Sequence, residues 1–149
     1  MLKLMVMRSD VKMDQVLRTQ IINSLAADVH YEDILLKLEE EGDNAEIPTE
    51  QGKYRVKDGM LVFHPRSPHV SDGPFWKMVI PDDNEVKKVI LNELHSIPYA
   101  EHPGVAKTLD HTTRYFYWRG MLADVQDFVL QCEACQVETS DHRKYAGPL

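Results

Sequence analysis

Two histidines and two cysteines form the pattern that most constrains this chain. Six residues separate His95 from His102, 29 residues follow, and two residues separate Cys132 from Cys135. Zinc favours four tetrahedral nitrogen and sulfur ligands, and a Cys-x2-Cys turn places two thiolates on one ion. We therefore predict one zinc per chain, bound by these four residues. Four protein ligands leave no position for an activated water, so the predicted zinc is structural rather than catalytic.

Other interpretations of these residues stay open at the level of sequence. A thioredoxin-like redox pair has the same cysteine spacing, but it follows a strand, whereas a helix is predicted before Cys132. Two unrelated core cysteines are a second alternative. Covalent haem needs a histidine directly after Cys135, and Gln136 stands there. His111 is the most credible substitute for His102, although it falls inside a predicted helix. The remaining histidines are interpreted as surface or structural residues: His30, His64, His69 and His142.

Apolar residues at helical spacing predict the elements around this pattern. One or two helices are predicted over roughly 12–41, with Gly42 as a stop. Of three later helices, the first ends near His95, the second begins near Pro103 and the third runs into Cys132. One ion bound at these helix ends would join three segments that are distant in sequence.

A β-hairpin is predicted between the two helical regions. Two strand-like runs flank Asp58-Gly59, a dipeptide that favours a tight turn because both of its residues tolerate positive φ. Residues 76–80 are predicted as a third strand. The predicted fold is therefore mainly α with a small β-hairpin, a three-helix zinc bundle being preceded by the hairpin and by N-terminal helices.

The chain is divided into four predicted segments. These are an acidic helical segment (1–50), a hairpin extension (51–81), a zinc-binding helical domain (82–142) and the start of a linker (143–149).

Composition and charge exclude several classes of protein. Of the 149 residues, 43% are hydrophobic and 28% charged, an ordinary globular balance, and no apolar run reaches the 18 residues that a membrane span needs. The formal charge is −7, of which residues 1–50 carry −6 (11 acids, five bases) and residues 51–149 carry −1 (13 acids, 12 bases). No strongly basic surface for nucleic acid is therefore expected. Two cysteines make no disulfide framework, and an intracellular location is predicted.

The order of several short motifs resembles the HHCC zinc-binding domain of integrases from gypsy-type LTR retrotransposons. The matching elements are His95, His102-Pro103-Gly104, Lys107-Thr108, Tyr117-Trp118-Arg119-Gly120-Met121 and Cys132-Glu133-Ala134-Cys135-Gln136. The hairpin over residues 54–63 resembles the extension that precedes this domain in such integrases. Two residues depart from the family pattern, because Glu101 replaces a glycine and Arg119 replaces a proline, but neither departure removes a ligand.

The resemblance implies a non-catalytic module that supports integrase multimerisation and positions the ends of the element's DNA. It implies a nucleus or virus-like particle as the location, and no catalytic residue in this chain. Because the chain stops at Leu149, we expect a fragment or a domesticated copy without the polynucleotidyl transferase core. We also expect self-association, most simply as a dimer, through the apolar stripe of residues 13–29.

Contact with DNA is expected to be weak or absent for this chain alone, because basic residues are few. The candidates for DNA contact are Lys107, Arg114, Arg119, Arg143 and Lys144. The alternative function is a domesticated, integrase-derived module that binds other proteins and not DNA.

Overall fold

The computed structural model describes residues 4–7, 10–42, 44–66, 76–95 and 104–132. The helices in this part of the chain are α1 (Gln15–Ala27), α2 (Val29–Glu41), α3 (Asn84–His95), α4 (Val105–Tyr115) and α5 (Met121–Gln131). The strands are β1 (Leu4–Met7), β2 (Asp10–Met13), β3 (Ile47–Pro48), β4 (Gly52–Lys57), β5 (Met60–Pro65), β6 (Lys77–Val79) and β7 (Phe116–Tyr117). No helix among the described residues is long and apolar enough to cross a membrane.

Side-chain caps set the boundaries of the first two helices. The Asp14 carboxylate accepts a hydrogen bond from the Leu17 backbone N–H at 2.8 Å, and the Asp28 carboxylate accepts one from the His30 N–H at 3.0 Å. Each carboxylate satisfies a backbone donor that has no partner within its helix. Gly42 ends α2 with φ at 88°, a conformation that glycine adopts without strain. The helices predicted over 12–41 are therefore confirmed as two helices.

The predicted hairpin is confirmed, including its turn. Asp58 and Gly59 have φ angles of 53° and 79°, and β4 pairs antiparallel with β5 from Lys57↔Met60 to Gly52↔Pro65. Both turn residues thus adopt the positive φ that a tight two-residue connection requires.

The β structure is larger than the small hairpin that the sequence predicts, and this part of the predicted fold class is wrong. Five strands form one sheet in the order β3-β4-β5-β6-β7, and a separate hairpin of β1 and β2 lies within the N-terminal segment. The predicted third strand is confirmed as β6. Strands β3 and β7, which the sequence analysis does not predict, have only two residues each, too few to show alternation. Strand β3 pairs with the nearby β4, whereas β7 pairs with β6, which is distant in sequence.

Strand β7 joins the sheet to the helices that follow it. It lies between α4 and α5 and pairs parallel with β6, so that Met78 is opposite Phe116 and Val79 is opposite Tyr117. The Ile80 N–H also donates to the Tyr117 carbonyl at 2.9 Å. The aromatic cluster at 115–118 is therefore part of the core: Phe116 is fully buried and Trp118 is 3% exposed.

A single hydrophobic cluster connects the N-terminal helices, the sheet and the later helices. Its most deeply buried members include Leu17 and Ile21 of α1, Ile90 of α3, Phe116 of β7 and Val125 of α5. Three apolar residues of the stripe at 13–29, namely Leu17, Ile21 and Leu25, are thus covered within the chain.

Asp83 joins α1 to the start of α3. Its carboxylate accepts hydrogen bonds from the Ser24 hydroxyl at 2.8 Å and the Gln20 amide at 3.1 Å, and from the N–H groups of Glu85 at 3.1 Å and Val86 at 3.3 Å. Partial burial opposes the charged form, but these four donors outweigh it and lower the pKa of Asp83 below its usual value.

A second polar junction links α3 to the start of α5. The buried Lys87 ammonium lies 2.9 Å from an Asp82 oxygen and 3.1 Å from an Asp124 oxygen, and the Trp118 indole N–H donates to Asp124 at 2.9 Å. Burial disfavours the charged form of Lys87, but the two carboxylates outweigh that effect and raise its pKa. This ion pair holds the turn after β7 against α3.

We expect Asp83→Ala to lower the free energy of unfolding by roughly 1–2 kcal/mol, since it removes a helix cap and two bonds to α1. Because the folded pKa of Asp83 is depressed, the contribution is present above the unfolded pKa of about 3.9 and is lost as pH falls through the folded value. Urea denaturation at several pH values measures this. Asp127→Ala, which removes an exposed carboxylate from α5, is the matched control and should have little effect. Equal effects of the two substitutions at neutral pH would contradict the assigned role.

Candidate metal centre

His95, the first predicted ligand, is the last residue of α3 and is only 1% exposed. Its Nδ1 atom lies 3.1 Å from the Thr108 hydroxyl oxygen of α4. The edge of its ring meets the Phe128 ring of α5, with 5.5 Å between centroids and 88° between planes. Contacts from two other helices therefore hold the imidazole in one orientation.

Thr108 belongs to a buried polar pair on α4. Thr108 and Thr112 are both fully buried, and the Thr112 hydroxyl donates to the Thr108 carbonyl at 2.7 Å. A buried hydroxyl is costly unless it is hydrogen-bonded, so two buried threonines one turn apart need polar partners. For Thr108, one such partner is the His95 ring.

Cys132, the third predicted ligand, follows the last residue of α5. Its backbone N–H donates to the Val129 carbonyl at 3.2 Å, and its half-buried side chain packs against the hydrophobic core. Cys132 comes four residues after Phe128, so the two lie on the same side of this helix end. Because Phe128 contacts the His95 ring, Cys132 and His95 approach the same region from two helices.

The other two predicted ligands, His102 and Cys135, lie outside the described residues. Within the described ranges, no three His, Cys, Asp or Glu side chains are close enough to hold a metal ion. The four-ligand assignment therefore stays a prediction. His111, the alternative to His102, lies in α4, and its buried Nδ1 atom has no hydrogen-bond partner among the residues described.

The surroundings of His95 fit a zinc ligand. A histidine that binds metal commonly donates its second ring N–H to an oxygen acceptor, which fixes the tautomer and the ring orientation. When Nδ1 carries the proton and donates to Thr108, Nε2 carries the lone pair that a zinc ion takes. The carboxyl ends of α3 and α5 also place partial negative charge at this region, which favours a cation. Two imidazole and two thiolate donors are a common zinc ligand set.

The contact of Thr108 with His95 is not predicted by the sequence. The Lys107-Thr108 motif by itself assigns Thr108 no role. Its spacing of four from Thr112 is a signal for a shared helix face, but only the packing of α4 against α3 shows that this face meets a histidine.

The three predicted DNA-contact residues within the described ranges, Lys107, Arg114 and Arg119, differ in their surroundings. Lys107 is exposed, whereas a guanidinium nitrogen of Arg114 lies 3.0 Å from an Asp110 oxygen on the same helix. Arg119 is exposed and lines a cleft of about 200 Å³ whose other lining residues include Asp28 and Asp82. Arg143 and Lys144 lie outside the described residues.

Residues 82–141 match the family model described as the integrase zinc-binding domain. The match covers 60 of the 149 residues and includes all four predicted zinc ligands. The resemblance inferred from the short motifs is thereby confirmed. The matched model describes a zinc-binding domain and not a catalytic core.

Similar proteins include the Transposon Tf2-3, Tf2-4 and Tf2-5 polyproteins of Schizosaccharomyces pombe (strain 972 / ATCC 24843). Each is 27% identical to this chain over 95 residues. The alignment covers 64% of the chain but only 6% of each polyprotein, so the chain spans a small part of the relatives it matches. No solved structure gives a significant match.

We expect Thr108→Val to lower the zinc affinity of this chain by roughly 10–100-fold, because the imidazole loses its orienting partner. Competition with a chromogenic chelator measures the affinity. Thr112→Val is the matched control, since Thr112 is equally buried and one turn away, but its hydroxyl donates to a backbone carbonyl. If both substitutions weaken zinc binding equally, the effect is general packing and not orientation of His95.

Proposed function

We propose that this chain acts as a non-catalytic zinc-binding module of a retrotransposon integrase. The observation that carries the proposal is the buried His95 at the end of α3, which contacts Thr108 and lies within the residues that match the integrase zinc-binding domain. The similar proteins are named transposon polyproteins, and these names support an intracellular location for the proposed module.

In this proposal the zinc has a structural role. His95, His102, Cys132 and Cys135 hold one ion and join the end of α3 to the end of α5. The bound metal supplies a cross-link and no reaction chemistry, since four protein ligands fill a tetrahedral zinc. His95 and Cys132 each terminate a helix that packs into the core, so the cross-link stabilises helices that also support the sheet.

We expect the purified chain to contain one zinc, and a strong chelator to lower both its thermal midpoint and its helical circular dichroism. Structural zinc contributes roughly 10–16 kcal/mol in small finger peptides, so Cys135→Ser should lose the metal and destabilise α3 to α5. The control is His30→Gln, which changes an exposed histidine on α2. Full zinc content in Cys135→Ser, or chelation without any change in stability, would refute the ligand set.

Self-association is the first of two finer roles that we propose for the module. Since Leu17, Ile21 and Leu25 are buried within the chain, a dimer contact through the N-terminal helices must use other apolar residues. Val16, Val29 and Leu36 are 53%, 82% and 50% exposed on α1 and α2, and they are the candidates.

The average mass measured by light scattering should rise from that of the monomer toward that of the dimer as the protein concentration increases. We expect Val29→Asp to shift the chain toward monomer, because a charge at the contact must be desolvated. Leu122→Asp, at a 51% exposed site on α5, is the control and should leave the mass unchanged. A monomer mass for the unchanged chain at high concentration would count against this role.

Positioning of the element's DNA ends is the second finer role, with Lys107, Arg114 and Arg119 as contacts. The acids beside Arg114 and Arg119 favour weak contact by this chain alone. These same acids favour one alternative, in which the module binds other proteins and not DNA.

A further inference from the structure

A groove of about 610 Å³ opens at the end of the sheet where β4 and β5 meet the start of β6. Lys53, His64, Arg66 and Trp76 contribute its polar and aromatic lining, and none of the described residues that line it is acidic. Of the predicted zinc ligands and DNA contacts, those that the structure describes (His95, Cys132, Lys107, Arg114 and Arg119) do not line this groove.

Strand register brings the cationic and aromatic side chains of this groove together. Lys53 of β4 is opposite His64 of β5, and residues opposite each other in an antiparallel pair project from the same face. The His64 ring meets Trp76 edge to face at 5.4 Å between centroids. Arg55 follows Lys53 by two residues on β4, and its guanidinium lies 4.7 Å from the centre of the Trp76 ring.

The charge of this region is opposite to that of the whole chain. Residues 51–66 contain four basic residues and one acid, whereas the chain has a formal charge of −7. A Glu46 oxygen lies 3.6 Å from the Lys53 ammonium, but both side chains are largely exposed. Such an ion pair is weak, so Lys53 can exchange this partner for a polyanion.

We propose that this groove binds an unpaired strand of nucleic acid. In this proposal Lys53 and Arg66 contact phosphates, and an unstacked base packs against the Trp76 ring beside His64. Proteins that bind single strands combine a cationic groove with an aromatic side chain on which a base stacks. A duplex keeps its bases stacked inside, and an acidic peptide leaves the indole without a planar partner, so an unpaired strand uses both features of the groove.

Tryptophan fluorescence provides a direct test on the full chain. The sequence has two tryptophans, and Trp118 is buried with its indole N–H bonded to Asp124, so quenching by an added oligonucleotide reports Trp76. Titration with a short oligothymidine should give saturable quenching that weakens as salt increases. A same-length duplex should quench less.

Matched variants locate the binding surface. With labelled oligothymidine and anisotropy as the readout, Lys53→Glu with Arg66→Glu should weaken binding about tenfold or more, and Trp76→Leu should weaken it and remove the quenching. Lys57→Glu, a reversal of the same charge on the same strand outside the groove, should have a much smaller effect. Circular dichroism of each variant checks that the fold is retained.

Several outcomes would overturn the proposal: no quenching, duplex binding as tight as single-strand binding, or displacement of the oligonucleotide by polyglutamate at equal charge concentration. Binding that depends on Lys107 and Arg114 but ignores Lys53 and Arg66 would also overturn it, while leaving the proposed function intact. Conversely, absence of zinc from the chain would refute the proposed function without affecting this groove.

Discussion

The parallel pairing of β6 with β7 is the interaction on which the rest of the structure depends. Strand β7 is two residues long, yet it lies between α4 and α5 and completes a sheet whose other four strands all precede α3 in sequence. Because Phe116 is buried in the common core, the zinc-binding helices and the sheet stabilise each other. A hairpin alone is marginal in water, and five strands packed against helices remove that weakness. Substitutions that destabilise the metal centre are therefore expected to destabilise the sheet as well.

The metal centre uses the same helices in a different way. Helix α3 begins at the Asp83 junction with α1 and ends at His95, whose ring contacts Thr108 of α4 and Phe128 of α5. The packing of these three helices therefore fixes the orientation of the imidazole. A zinc ion added at these helix ends would cross-link elements that already touch, which fits a structural role.

Helices α3 to α5 and the end of the sheet formed by β4 and β5 differ in surface charge. The acidic N-terminal third and the ion pairs around Arg114 and Lys87 leave little net positive charge on the zinc-binding helices. Positive charge is concentrated instead on the outer end of β4 and β5, next to Trp76. Helices α3 to α5 and the sheet therefore differ in surface charge, and separate variants of each can distinguish the two proposed contributions to nucleic-acid binding.

Local patterns were enough to predict the features that depend on neighbouring residues. Gly42 marks a helix end because glycine tolerates positive φ, and Asp58-Gly59 favours its turn for the same reason. The order of the short motifs from His95 to Gln136 indicates the resemblance to integrases. Features made by distant residues could not be predicted in this way. Strand β7 carries no periodic signal, and neither the contact of Thr108 with His95 nor that of Arg55 with Trp76 leaves a trace in local sequence. Packing between elements decided these contacts, because a buried hydroxyl or an indole acquires its partner only when separate segments meet.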